Sequence, residues 1–264
     1  MIPIKVLVPS GVLGLGFDLE ALNNGVKNNP DIISIDGGST DSGPYSLGSG
    51  TSKYSRAAIK AEWKSLMIAR EKANVPLVIG SCGTCGTNGM VDWMENITIE
   101  LAEELNQNIK IAKLYCQQEK NFIKKKFQLS KIFPLNPAPM LNDHLIEEMT
   151  NIVALAGAEQ IQECINTGAE IILAGRTTDT AIISALPLMK GANPGSSWHG
   201  AKVVECGALC STNPTSGVVM VEFDKTGFTV EPMSKNAFCT SETVAAHMLY
   251  ENADPYILYE PGGY

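Results

Sequence analysis

Nowhere in the 264 residues does an apolar run approach the ~20 that a membrane span needs. Basic surface is scarce as well: 20 Lys and Arg stand against 28 Asp and Glu, giving a net charge of −8, and the single dense run is Lys124 to Lys126. That balance argues against a nucleic-acid partner and against attraction to an anionic membrane, and the three lysines read as a solvated helix face. The start, MIPIKVLVPSG, reads as a strand rather than a secretory leader, so the expected compartment is the cytoplasm. The seven cysteines are odd in number and irregularly spaced, which excludes a disulfide framework and leaves reduced thiols. No internal repeat and no low-complexity segment is evident.

Two phosphate-binding signatures are missing too. Gly11, Gly14 and Gly16 follow the first expected strand (4–8), but without dinucleotide spacing and without an acidic residue closing a second strand in the expected context. The string GSCGTCGTNG (80–89) lacks the lysine of a P-loop. No cofactor can be named from the sequence, and no metal is expected. Cys82 and Cys85 form a Cys-x-x-Cys with neither a second cysteine pair nor a nearby histidine, so they read as small residues in a tight turn.

What is present is enough apolar residue, 44%, for a sizeable core, arranged as short β-branched runs alternating with helical patterns. Strands are expected at 4–8, 31–35, 76–80, 109–115, 152–155 and 170–174. Helices are expected from Asp18 and at 53–74, 90–105, 160–166, 180–189 and 243–251. Beyond Gly191 a glycine- and proline-rich loop leads to a hairpin at 218–223 and 228–231 around DKTG. This predicts an α/β fold, a doubly wound, mostly parallel sheet with helices on both faces and a small hairpin-and-helix C-terminal portion. One domain is expected over 1–264, with a weak boundary near 134–140, where Pro134, Pro137 and Pro139 fall. Strands ending at Val8, Ile35, Gly80 and Ala174 should lie side by side with their carboxyl ends on one edge, where such sheets bind ligands.

The candidate site residues follow from that edge. In DIISIDGGSTDSGPYSLGSG (31–50), an apolar run delivers Asp36 and Asp41 into a loop with five glycines and the hydroxyls of Ser39, Thr40 and Ser42. Gly37 and Gly38 would let backbone approach a ligand, the aspartates would serve as acid or base, and the hydroxyls would donate to anionic oxygens. The same residues would also serve a long turn that satisfies its own backbone. Ser81, Gly83 and Thr84 in the next loop offer N–H groups at a helix start. In AGRTTDT (174–180), Arg176 would clamp an anion and Asp179 orient it or act as a base; a helix cap and a plain ion pair fit equally. WHGAKVVECGALC brings His199, Lys202, Glu205, Cys206 and Cys210 together, either as base and nucleophile or as a satisfied histidine and packed thiols. His247, on an apolar stripe, reads as core.

The strings DGGSTDSGPYSLGSG, PLVIGSCGTCGTNGMVDW, AGRTTDTAI, HGAKVVECGAL and CTSETVAAHMLYENADPY, in collinear order over nearly the whole chain, resemble the acyclic terpene utilisation AtuA family. The resemblance implies an α/β protein, typically encoded near genes for acyl-CoA or branched-carboxylate catabolism. Small residues are common where Cys82 and Cys85 stand, which speaks against catalytic thiols. Family chains usually continue further and often carry, fused or separate, a small ferredoxin-like α+β domain, so a composite site would be incomplete at Tyr264. The expected function is an enzyme or enzyme subunit acting on a small carboxylate or acyl-CoA by proton abstraction next to a carbonyl, with hydration, dehydration or isomerisation. The competing expectation is a non-catalytic ligand-binding or assembly subunit. A homo-oligomer or a complex with a small ferredoxin-like chain is expected, through Leu249 and a terminal strand bearing Tyr256 and Leu258.

Overall fold

The computed structural model describes residues 3–38, 43–134, 137–138, 140–251, 254 and 257. Five β-branched runs form a parallel core: β1 (Ile4–Val8), β2 (Ile32–Asp36), β3 (Leu77–Gly80), β4 (Ile111–Leu114) and β5 (Ile171–Ala174). They lie in the order β4-β5-β3-β2-β1, and β6 (Val219–Phe223) and β7 (Phe228–Pro232) continue the sheet antiparallel beyond β1. The strands ending at Val8, Asp36, Gly80 and Ala174 are therefore neighbours with carboxyl ends on one edge, as expected.

Helices cover both faces because alternate strand residues are apolar on each side. On one face α1 (Leu19–Lys27), α3 (Arg56–Ala73) and α4 (Asn88–Leu105) cover Leu7, Ile33, Ile35, Leu77 and Ile79. On the other, α7 (Ala158–Asn166), α8 (Ala181–Met189) and α9 (Pro194–Val204) cover Val6, Val8, Ile32, Val78 and Ile172. The chain steps outward from β1 to β4 with helices on the first face, then back through β5 to β6 with helices on the second. Reversing direction and face together keeps the crossover hand constant, which makes the fold doubly wound. Helices α2 (Tyr45–Ser49), α5 (Lys120–Gln128), α6 (Asp143–Glu148) and α10 (Ser241–Glu251), with 3₁₀ turns at Gly207–Cys210 and Pro214–Ser216, complete the described elements. Lys124 of α5 pairs with Glu147 at 2.8 Å, as befits a solvated face.

Two expectations need correction. Residues 152–155 do not form a strand; they make only an isolated bridge, Val153 with Gln117, backed by an Ala154 N–H to Cys116 O bond of 2.8 Å. The loop expected after Gly191 is largely α9. Asn193 caps it by accepting from the Ser196 N–H at 3.0 Å, and Pro194 takes the first turn, where its missing N–H costs nothing. Among the described residues, no helix is long and apolar enough to cross a membrane.

The loop after β3 rests directly on the loop after β5. At Gly86, with φ of 64°, a Cβ would stand 2.3 Å from the Arg176 backbone nitrogen. Gly191 has φ of 82° but open space around it. Gly191→Ala should cost about 1–2 kcal/mol for the left-handed backbone alone. Gly86→Ala should cost at least about 2 kcal/mol more, because backbone rather than a pliant side chain must yield. Equal losses in urea unfolding would show that this contact is loose.

Candidate functional site

Hydrogen bonding continues past the strand ends. Gly37 N–H donates to Gly80 O at 2.8 Å, Ser81 N–H to Gly175 O at 2.8 Å, and Leu13 N–H to Asp36 O at 2.8 Å. Ser81 and Thr84 hold positive φ, 46° and 70°, in conformations non-glycine residues avoid. Such strain persists only where the surroundings enforce it, and it gathers at functional sites. Arg176, 9% exposed, lies beneath these loops, with Nη1 donating to Gly38 O at 2.9 Å and to Ser81 Oγ at 3.1 Å.

Asp36 is the buried last residue of β2 rather than a residue of an open polar loop, and it is only 2% exposed. Its Oδ2 accepts from Gly38 N–H at 2.7 Å, while Oδ1 is buried without a hydrogen-bond partner. Thr177 Oγ1 is in the same condition, and both atoms lie within 3.4 Å of where a Cβ on Gly80 would be. Burial first, then the nearby charge of Asp179, pushes the Asp36 carboxyl well above the usual range, against the pull of Arg176 and the Gly38 N–H.

A second acidic group comes from the end of α9 and the end of α10. Lys202 Nζ lies 2.5 Å from Glu205 Oε1 and 3.4 Å from Glu251 Oε2, and Cys206 Sγ donates to Glu251 Oε1 at 3.4 Å. Burial outweighs the attraction of Lys202 and pushes Glu205 up to about 8, with the charge of Asp179 adding to it. Burial works against the Lys202 charge, yet Glu205 and Glu251 together hold that ammonium above its ordinary range. Burial, then Glu205 and Glu251, pushes the Cys206 thiol far up, so it is no ready nucleophile. Among the described residues, Glu205, Cys206 and Glu251 are the set with metal-ligand spacing, their ligand atoms within 4.8 Å of one another. The Lys202 ammonium already supplies positive charge there.

Both acidic groups open on one cavity of about 550 Å³, within the usual range for small-molecule sites. Asp36, Asp179, Glu205, Cys206 and Glu251 line its acidic side, Lys53 and Tyr54 also face it, and Val12, Leu15, Leu209 and Pro214 are apolar lining. Gly38 and Thr84 also reach it. Gly37 and Ser81 sit behind it with Arg176, and Gly37 has no room for a Cβ, which would stand 2.5 Å from Ser81 O. Gly83 packs on Met90 where its Cβ would be. His199 is not brought to the cavity: it is exposed and meets Phe228 edge-on at 5.3 Å between ring centroids. Cys82 and Cys85 are buried, and His247 is buried with Nε2 unpartnered. Ser39, Thr40 and Asp41 lie outside the described residues, as do Tyr256 and Leu258. Sequence reasoning missed Lys53, Tyr54 and Glu251 on the wall; Glu251 arrives from a distant helix with no local motif to mark it.

A doubly wound sheet with a cavity at its carboxyl edge is the arrangement in which α/β proteins hold small ligands. The family model described as "Acyclic terpene utilisation family protein AtuA" matches residues 46–263, and the chain belongs to that family. Comparison with curated proteins and with solved structures gave no match.

A carboxyl whose folded pKa lies above its unfolded value favours folding below the unfolded value, and that contribution is lost as pH rises through the folded one. Asp36 should therefore make wild-type stability fall as pH climbs out of the carboxylate range. Asp36→Asn keeps the neutral shape and an acceptor for Gly38 N–H, and should flatten the decline. Asp36→Ala should cost about 1–3 kcal/mol at every pH by stranding that N–H. Urea unfolding across pH decides it; identical pH slopes for wild type and Asp36→Asn would show an ionised Asp36.

Proposed function

We propose that the protein is an enzyme of acyclic or branched acyl-chain catabolism that moves protons at the carbon next to a thioester carbonyl, with hydration, dehydration or isomerisation as the outcome. Family membership supports the catabolic setting. The observation that carries the chemistry is the set of acidic side chains facing one cavity, with Glu205 and Asp36 pushed towards the neutral form by burial. Environments that drive neighbouring carboxyl groups apart in pKa are how a site holds an acid and a base at one pH. In this reading neutral Glu205 donates to the carbonyl oxygen, Asp179 takes the proton from the adjacent carbon, and neutral Asp36 gives a second one to the leaving group or to carbon. The apolar lining suits a hydrocarbon chain, and a neutral proton donor such as Glu205 suits a thioester carbonyl oxygen.

A second reading, an assembly subunit completed by another copy or by a small ferredoxin-like chain, draws on α10, where Leu249 is 71% and Tyr250 82% exposed. Under it the cavity binds acyl ligands without turning them over.

The test is solvent exchange: acyclic acyl-CoA thioesters are incubated with the protein in D₂O and deuterium at the carbon next to the carbonyl is followed by NMR. Wild type should incorporate deuterium, with a rate that falls as pH rises through about 8 as Glu205 loses its proton. Glu205→Gln should slow exchange by about 10²–10⁴-fold and abolish that pH dependence. Acyl-CoAs that bind without any exchange would contradict the enzymatic reading and favour the assembly one.

A further inference from the structure

The structure holds a pair of thiols that the cavity chemistry does not use. Cys210 closes the 3₁₀ turn Gly207–Cys210, and Cys239 stands two residues before α10; their sulfurs are 3.9 Å apart. The approach is built by the backbone. Thr212 N–H donates to Phe238 O at 2.9 Å, and Phe238 N–H returns a bond to Thr212 Oγ1 at 3.0 Å, so the two segments are clamped beside the sulfurs. Thr240 caps the helix start, accepting from Thr243 N–H at 3.1 Å.

The other thiols are poorly placed for oxidation. Cys82, Cys85, Cys116 and Cys164 are buried, and the Cys206 thiol is held far up by burial and its acidic neighbours. Cys239 is half-exposed, close to the positive end of α10, and the hydrogen bond from Cys210 holds its thiol below the ordinary value. It is thus the thiol best placed to meet a solvent oxidant, with Cys210 at hand to resolve the product.

We propose that Cys210 and Cys239 form a reversible disulfide when the protein meets a peroxide. The Cys239 thiolate attacks one peroxide oxygen, the O–O bond breaks, and Cys239 becomes a sulfenic acid while the other oxygen leaves as water after taking a proton. Cys210 then attacks the sulfenic sulfur; the S–S bond forms, the S–O bond breaks, and the hydroxide leaves as water with the Cys210 proton. Two thiols are oxidised by two electrons in total, and one hydrogen peroxide is reduced to two waters. The sulfurs must close from 3.9 Å to the ~2.05 Å of the bond. The cross-link ties the segment carrying Cys206, Leu209 and Pro214, which wall the cavity, to the start of the helix that ends at Glu251.

The test treats the reduced full chain with hydrogen peroxide, quenches with catalase, and alkylates under denaturing conditions. Two of the seven thiols should escape alkylation, the intact mass should fall by two hydrogens, and a non-reducing peptide map should show residue 210 joined to 239, reversed by dithiothreitol. Cys210→Ser should leave Cys239 as a sulfenic acid that dimedone traps. Seven alkylatable thiols after treatment, a cross-link between other cysteines, or Cys239 driven to sulfinic acid without cross-linking would each overturn the proposal.

Discussion

Arg176 reaches from the loop after β5 to the Gly38 carbonyl and the Ser81 hydroxyl, so one buried guanidinium fastens the loops that follow β2, β3 and β5. A cation this deep persists only where several acceptors meet it, and here the acceptors belong to loops that would otherwise have little to hold them. Its neighbours are fitted to that tie. Gly37 and Gly86 lack side chains where backbone comes within van der Waals contact, and Ser81 and Thr84 accept strained dihedrals to keep the turn closed. The price of this close packing is a carboxyl, Asp36, pressed into the same layer with one oxygen unsatisfied.

The acidity of the cavity follows from that geometry. Asp36 arrives at the end of β2, Asp179 from the loop leading to α8, Glu205 from the end of α9 and Glu251 from the end of α10. The Lys202 ammonium sits between Glu205 and Glu251, and Lys53 lines the cavity as well. With burial dominating, the cheaper solution for Asp36 and Glu205 is to keep protons rather than charges. Carboxyl groups held neutral in this way are proton donors at the pH where ordinary carboxylates have none to give.

Much of this was readable in the sequence because open α/β sheets obey few rules. Buried β-branched runs such as PLVIG and EIILA, separated by helix-length segments, dictate a parallel sheet and place the glycine-rich loops on one edge. Asp36, Asp179 and Glu205 were reachable because each follows a strand or ends a helix near such a loop. His199 misled because helical spacing from Cys206 says nothing of which face meets the cavity; the face it occupies meets Phe228 on β7. Arg176 read as an anion clamp, yet its reach is taken by Gly38 and Ser81, a long-range pairing no local pattern encodes. α9 was obscured by Pro194 and Gly195, which look like breakers unless Asn193 is recognised as the cap that lets proline open a helix. Glu251 gave no signal, since only the packing of α10 against α9 and the 207–210 turn delivers it.

The proposed chemistry depends on Glu205 keeping its proton at neutral pH. The most direct measurement is a ¹³C NMR titration of protein labelled at the glutamate side-chain carboxyl, in wild type and Glu205→Gln. One glutamate carboxyl should titrate near pH 8 in wild type, and that signal alone should vanish in the variant. If every glutamate carboxyl titrated in the ordinary range, around pH 4–5, Glu205 would be ionised in the fold and could not serve as the proton donor.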